Sequence, residues 1–147
     1  MPTVDKMVIE RKVSKIRYLV RQIEEMDFSK EQFDEDADIQ DLVVFRLMQS
    51  VEQALDIASH LVAAYGFPRP DTAKDMFLAL GRKRLLSNEV AKAMAKAVGF
   101  RNIAAHEYME EIFDVEKVYR DYKDDIRDLK RFCEEVVGIL EGEEKAK

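Results

Sequence analysis

Residues 39–66 have the sequence IQDLVVFRLMQSVEQALDIASHLVAAYG, and this stretch carries the clearest signal of the fold class. Its apolar residues recur at steps of three and four, which is the repeat of an α-helix packed on a core. We expect the helix to end at Gly66, because Pro68 and Pro70 follow it. The apolar positions cover more than one face, so the helix is either central in the domain or shared with a second subunit. These positions are Ile39, Leu42, Val43, Leu47, Val51, Leu55, Ala58, Leu61 and Val62.

Further helices are predicted on both sides of this one, each from an apolar stripe, a capping residue or both. They are a helix over about residues 4–26 with Val13, Ile16, Val20 and Ile23, a short helix from Asp71 or Thr72 to Leu80 that Gly81 stops, a helix after Ser87 with Val90, Met94 and Val98, and a helix after Asp114. The acidic run 28–38 separates the helix of residues 4–26 from the helix of residues 39–66. We predict an all-α, up-and-down bundle of about five helices, with residues 1–140 as one domain and 141–147 as a charged, frayed tail.

The composition favours helices and a cytoplasmic protein. Five glycines and three prolines among 147 residues leave little turn punctuation for sheets, and the chain is long enough to bury a core without a disulfide or metal. The single cysteine, Cys133, lies in an apolar helical run, which indicates a packed thiol in a reducing compartment. No apolar run approaches the roughly 18 residues of a membrane span, and the charged N-terminus does not resemble a signal peptide.

The charge is unevenly distributed along the chain. The net charge is -6, but residues 1–21 carry +4 and residues 69–101 carry +5. The cluster Arg82, Lys83 and Arg84 lies in the second of these stretches. Phosphate neutralisation dominates non-specific RNA binding, so these cations could form a track for RNA. The alternative is an ordinary solvated surface.

Residues 101–108, with the sequence RNIAAHEY, concentrate four polar side chains that can act on a phosphate ester. At about 100° per residue, Tyr108 returns to nearly the same helical face as Arg101. Asn102 and His106 form an i,i+4 pair on the adjoining flank. A guanidinium can hold a phosphate through two hydrogen bonds, and an imidazole can move a proton near neutral pH. We therefore expect the four side chains to line one wall of a cleft.

The spacing of Arg101, His106 and Tyr108 resembles the R-x4-H-x-Y pattern of HepT-like toxins in the HEPN superfamily. Asn102 is the residue favoured after the arginine there, and the resemblance covers nearly the whole chain. It implies a homodimeric ribonuclease that cuts RNA without a metal or other cofactor. It implies His106 as general base or acid for attack of the ribose 2′-hydroxyl on the adjacent phosphate. Arg101 would stabilise the phosphate charge, and Asn102 would orient the site.

The same resemblance implies a partner protein. HepT-like toxins pair with an MntA-like nucleotidyltransferase antitoxin, which would transfer AMP to the Tyr108 hydroxyl and so block the cleft. The expected partners are therefore an RNA substrate, with tRNA and mRNA as the candidates, this antitoxin and a second copy of the chain. No membrane partner is expected.

A chain without catalytic activity is the alternative. His106 would then be an ordinary hydrogen-bonded packing residue, and Arg101 would form a salt bridge with Glu107 or another acid. Such a chain would serve as a helical nucleotide-binding or scaffold subunit of a nucleotidyltransferase complex.

A second stripe of polar residues lies on the helix of residues 39–66. Glu52, Asp56 and His60 stand at i, i+4 and i+8, a pattern that helical bundles use to bind metals. A metal site usually needs a ligand from another helix, and the chain has no paired Glu-x-x-His motif. We favour polar pairing at a helix or subunit contact over metal binding.

Overall fold

The computed structural model describes residues 4–146, and all of its regular secondary structure in that range is helical. The helices are α1 (Lys6–Glu24), α2 (Lys30–Glu35), α3 (Ala37–Ala64), α4 (Ala73–Arg82), α5 (Asn88–Glu107) and α6 (Val115–Ala146). The predicted all-α bundle is confirmed, with six helices in the described range where about five were expected. None of these helices is long and apolar enough to cross a lipid bilayer.

The additional helix, α2, lies inside the acidic run that separates α1 from α3. The Ser29 side chain accepts a hydrogen bond from the Gln32 N–H at 3.1 Å, and the Gln32 side chain accepts one from the Ser29 N–H at 2.8 Å. This reciprocal capping box starts the helix. Phe33 is fully buried and stacks on Phe28 at 5.7 Å, so α2 is anchored by one aromatic side chain.

Helix α3 is central in the fold. It contacts all five of the other described helices, which explains why its apolar residues cover more than one face. Asp36 caps it by accepting hydrogen bonds from the N–H groups of Asp38 and Ile39. Two large apolar side chains of α3 nevertheless face solvent, since Leu42 is 42% exposed and Phe45 is 57% exposed.

The chain leaves α3 and α4 through residues with left-handed backbone. Gly66 has a φ of 68°, and it ends α3 as predicted. Gly81 was expected to stop α4, but this prediction is wrong because α4 continues to Arg82. A Cβ at Gly81 would lie 2.6 Å from the Cβ of Ala91, so this glycine allows α4 and α5 to approach closely. Arg84, with a φ of 62°, takes the left-handed position instead.

Three predicted N-caps are confirmed. Thr72, rather than Asp71, caps α4 by accepting from the Asp75 N–H at 3.1 Å. Ser87 caps α5. Asp114 accepts from the Lys117 N–H at 3.1 Å at the start of α6. Side-chain oxygens thus satisfy N–H groups that the first turn of each helix leaves unpaired.

The final helix extends beyond its predicted limit. Residues 141–146, which the sequence predicted as a frayed tail, continue α6. The Glu144 carboxylate lies 2.7 Å from Nζ of Lys6, and Glu143 accepts a hydrogen bond from the Tyr65 hydroxyl. These contacts connect the end of α6 to α1 and α3.

The core of the bundle contains Cys133, as predicted. Its side chain is fully buried, and burial raises the pKa of the thiol to about 11. A thiol with so high a pKa is unreactive at neutral pH. Phe132, the residue before Cys133 on α6, meets Phe77 of α4 edge to face, with ring centroids 5.7 Å apart.

Candidate active site at the end of helix five

The last two turns of α5 carry three of the four polar residues that the sequence singled out. Ser87 starts the helix, and buried apolar residues anchor its first half. Among residues 101–107 only Ala104 is buried, so the outer face of this helix end is open. Tyr108 follows directly as the C-cap residue. The segment therefore carries polar side chains on both its inner and its outer side.

Arg101 lies on the side of α5 that faces α3. Its Nε atom is 2.9 Å from Oε1 of Glu52, and the Arg101 side chain is 23% exposed. The Nε–H is buried and is not directed at an acceptor, so the contact is an ion pair rather than a well-aligned hydrogen bond. The salt bridge suggested within the segment, between Arg101 and Glu107, is replaced by this contact between helices. Glu52 thus holds the guanidinium beside the open face of α5.

Asn102 and His106 lie on the solvent side of the helix. Both residues are exposed, and their i,i+4 spacing places them on one flank. The imidazole is therefore accessible to a large ligand such as a nucleic-acid strand. A packing role for His106 does not fit this exposure.

Tyr108 turns back toward α3. Its hydroxyl donates a hydrogen bond to the Asp41 carboxylate. Its ring meets Phe113 edge to face, with the centroids 5.1 Å apart. Burial, followed by the hydrogen bond to Asp41 and the Asp41 charge, raises the pKa of Tyr108 well above its ordinary value of 10.0. A phenol held in this way cannot act as a base at neutral pH.

Two acids of α3 thus hold the end of α5. Glu52 and Asp41 are eleven residues apart, which is roughly 16 Å along the helix axis. Arg101 and Tyr108 contact α3 at these two points, and His106, between them in sequence, is exposed to solvent. Asp41 was not predicted as part of the site, whereas the polar pairing at a helix contact that was favoured for Glu52 agrees with its ion pair to Arg101. The apolar periodicity of one helix does not indicate which residue of another helix its polar side chains will contact.

Five large apolar side chains on α3, on this helix end and in the turn that follows it are exposed. Leu42 and Phe45 on α3, Ile103 on α5, and Met109 and Ile112 in the following turn are each between 42% and 91% exposed. We call these five residues the apolar patch. A cluster of this kind beside polar functional groups is typical of a protein interaction surface.

The basic cluster Arg82, Lys83 and Arg84 lies at the opposite end of α5. All three residues are exposed, Arg82 as the last residue of α4 and the other two in the turn that follows it. Nζ of Lys83 lies 5.4 Å from the centroid of the Phe67 ring, which stacks on Tyr65 at 5.7 Å. Arg101 follows Asn88 by thirteen positions, which corresponds to roughly 20 Å of helix. Within one chain, the cluster is therefore remote from His106.

Glu52, Asp56 and His60 contact three different partners. Glu52 pairs with Arg101, and Asp56 lies 3.4 Å from Nζ of Lys12. Nε2 of His60 accepts a hydrogen bond from the backbone N–H of Asp5 at 3.3 Å. Within residues 4–146, no three histidine, cysteine or acidic side chains come together in a way that could hold a metal ion. Pairing between helices therefore accounts for this stripe.

The fold is an all-helical domain. Its candidate site combines an anchored arginine, an exposed histidine five residues later and a tyrosine two residues after that, which is the pattern of HepT-like ribonucleases. The chain belongs to the ribonuclease HepT-like family, whose family model matches residues 13–136. It is 30% identical over 108 residues to the mRNA nuclease HepT of Shewanella oneidensis, covering 74% of this chain and 81% of the relative. It is 36% identical over 70 residues to the tRNA nuclease HepT of Aphanizomenon flos-aquae, covering 47% and 48% of the two chains.

A solved structure shows the same fold in a protein complex. It is a tri-AMPylated HEPN toxin from Shewanella oneidensis bound to an MNT antitoxin. The TM-score is 0.82 at 26% sequence identity, and the match covers 89% of this chain and 97% of the toxin. The helix packing described above is therefore that of a HEPN toxin.

Proposed function

We propose that this chain is a toxin of a toxin–antitoxin pair, an endoribonuclease that needs no metal. The observation that carries the proposal is the exposed pair of His106 and Asn102 beside Arg101, which Glu52 holds in place. Membership in the ribonuclease HepT-like family supports the same reaction. RNA is the proposed substrate, and relatives named as mRNA and tRNA nucleases leave both kinds of RNA open.

The proposed reaction is transfer of a phosphoryl group within the RNA strand. His106 accepts the proton of a ribose 2′-hydroxyl, whose oxygen then attacks the adjacent phosphorus. The 5′-oxygen of the next nucleotide leaves and takes up a proton, and a cyclic phosphate remains. Arg101 stabilises the negative charge that grows on the phosphate, and Asn102 orients the strand or the imidazole. General base catalysis typically contributes about 100- to 10,000-fold, and a preorganised cation adds a few kcal/mol.

A second copy of the chain completes the proposed site. The reaction removes one proton and delivers another, which suits two imidazoles. The sequence has two histidines, and His60 is engaged with Asp5 at the other end of α3. The second imidazole would thus come from the His106 of a second copy. The apolar patch supports this arrangement, because pairing about a two-fold axis would cover it and bring two motifs together.

The cluster Arg82, Lys83 and Arg84 is the proposed contact for RNA outside the cleavage site. Its cations lie roughly 20 Å from Arg101 along α5, so a strand spanning several nucleotides would reach both. Exposed cations bind the phosphate backbone irrespective of sequence. The neighbouring rings of Tyr65 and Phe67 add an aromatic surface next to them.

The proposed inhibitor is a nucleotidyltransferase antitoxin that attaches AMP to Tyr108. The tri-AMPylated toxin of the structural relative supports this modification chemistry. A modified Tyr108 would carry a phosphate and an adenosine at the end of α5 next to His106. The added negative charge and bulk would exclude an RNA strand from that surface. We propose the cytoplasm as the site of action, in keeping with the buried thiol of Cys133.

Expression without the antitoxin tests the proposal. Cells that produce the wild-type chain should stop growing and show fragmented RNA, whereas His106→Ala should be harmless at the same protein level. Co-expression of the nucleotidyltransferase should restore growth to the wild type. A catalytically silent nucleotide-binding or scaffold subunit would leave growth and RNA intact in every case, and that result would replace our proposal with the alternative.

A further inference from the structure

The hydroxyl of Tyr108 has a carboxylate as its direct neighbour. Asp41 lies in the second turn of α3, is exposed, and accepts the phenolic hydrogen bond. The ring of Tyr108 is fixed edge to face on the buried Phe113. The reactive oxygen is therefore held at the surface with its proton already directed to a base.

We propose that Asp41 is the proton acceptor when AMP is transferred to Tyr108, so that the toxin itself supplies the base for its own inhibition. This inference rests on the proposed inhibition by AMP transfer. Oη of Tyr108 forms a bond to the α-phosphorus of ATP, and the bond from that phosphorus to the bridging oxygen breaks. Pyrophosphate leaves with the electron pair, and the phenolic proton passes to the Asp41 carboxylate and then to solvent.

The physical need for this base follows from the environment of the phenol. A neutral phenol is a weak nucleophile, and free phenolate is scarce at neutral pH because the pKa of Tyr108 is raised. Loss of the proton to water before attack is thus unfavourable. The phenol becomes far more acidic as its oxygen bonds to phosphorus, and a carboxylate already in contact can take the proton at that moment.

A second tyrosine of the chain provides the matched control. The Tyr65 hydroxyl donates to Glu143, and burial together with this contact raises the pKa of Tyr65 to about 12. This pair resembles that of Tyr108 and Asp41 in chemistry. It lies between α3 and the end of α6, away from the segment 101–108. Glu143→Gln therefore alters a comparable hydrogen bond without altering the proposed modification site.

The test measures the initial rate of AMP transfer to the purified chain by its nucleotidyltransferase partner, with ATP radiolabelled at the α-phosphate. Asp41→Asn keeps an oxygen that accepts the hydrogen bond but cannot take the proton. We expect its rate to fall on the order of 100-fold. Asp41→Glu should recover part of the rate, and Glu143→Gln should match the wild type.

The pH profile separates proton transfer from mere positioning of the ring. The wild-type rate should be nearly constant from about pH 7 to about pH 9, because a carboxylate already in contact with the phenol takes the proton and hydroxide is not needed. The Asp41→Asn rate should rise steeply with pH, because hydroxide must replace the carboxylate. If the wild type is labelled on Tyr108 and Asp41→Asn keeps its rate and its pH profile, the proposal for Asp41 is wrong and the modification stands. If the wild type takes no label, the proposed inhibition fails first, and the role of Asp41 is overturned with it.

Discussion

Oε1 of Glu52 lies 2.9 Å from Nε of Arg101, so a carboxylate in the middle of α3 holds the arginine that opens the motif on α5. The guanidinium side chain is only 23% exposed. A cation fixed in this way loses little conformational entropy when it meets a phosphate. The ion pair thus orients Arg101 but also places a negative charge close to the proposed RNA site.

Replacing Glu52 by glutamine should separate these two effects. We expect Glu52→Gln to lower kcat by about tenfold or more, because the guanidinium is less firmly oriented in the transition state. KM should stay equal or fall, because one negative charge near the RNA phosphates is removed. Steady-state cleavage of a short labelled RNA measures both constants.

Asp56→Asn is the control for this variant. Asp56 lies one turn further along α3 and pairs with Lys12 of α1 instead of α5. It should therefore leave both constants within about twofold of the wild type, as expected for a surface charge away from the site. A Glu52→Gln protein with unchanged kcat would show that Arg101 needs no support from α3.

The helices were largely predictable because their signals are local. Apolar periodicity and the capping side chains of Thr72, Ser87 and Asp114 lie within a few residues of the helix that they define. Gly81 was misinterpreted, because a glycine that allows close helix packing and a glycine that ends a helix are the same residue. Its role depends on Ala91 of another helix, which no local pattern reveals.

A charge placed in the apolar patch should disrupt the proposed dimer. Phe45 is 57% exposed, and we expect Phe45→Glu to yield a monomer of 17.1 kDa by light scattering where the wild type has twice that mass. Cleavage should be lost with it if the two motifs share one site. Tyr18→Glu, at a residue of α1 that is 52% exposed, should remain dimeric and active. A wild type that is already monomeric at micromolar concentration would contradict the shared site.

Replacing Arg84 by glycine should change the stability of the fold and the binding of RNA in opposite directions. Its left-handed φ of 62° is strained for a side chain with a Cβ, so Arg84→Gly should raise the free energy of unfolding by about 0.5–1 kcal/mol. The same change removes a cation, so the slope of log affinity for RNA against log salt should become shallower by about one. Urea unfolding and binding titrations at several salt concentrations measure these effects. An unchanged slope would exclude Arg84 from the RNA contact.

The environment of Asp125 should make the free energy of unfolding depend on pH. Burial, and then the charges of Asp121 and Asp128, raise the pKa of Asp125 to about 6, although Lys96 opposes the shift. Because the folded-state pKa lies above the unfolded value near 3.8, ionising this carboxyl destabilises the fold. The penalty is fully present above about pH 6 and disappears as the pH falls toward about 4.

The variant Asp125→Asn should therefore be more stable than the wild type by about 1–3 kcal/mol at pH 8, and the difference should vanish near pH 4. Urea unfolding across this pH range measures it. Asp124→Asn is the control, because Asp124 is an exposed neighbour, and its effect should stay within about 0.5 kcal/mol. A difference for Asp125→Asn that is constant with pH would mean that burial of the charge is not its cause.

The residue types of the site were predictable from the sequence, but the acidic residues of α3 that hold Arg101 and Tyr108 were not. The spacing of Arg101, His106 and Tyr108 is visible within eight residues. The contacts with Glu52 and Asp41 join positions 49 and 67 residues apart, and they exist only because α3 and α5 pack together. A single sequence does not record which acid on one helix faces a given residue of another.

Cleavage of RNA by purified protein in the presence of EDTA is the decisive test of a metal-independent reaction that depends on His106. The wild type should cut a labelled RNA mixture without any divalent ion, and His60→Ala should do the same. His106→Ala should cut at least about 100-fold more slowly while its helical content and melting temperature stay unchanged, because His106 is exposed. Cleavage by His106→Ala at the wild-type rate, or activity that EDTA abolishes and a divalent ion restores, would contradict the mechanism.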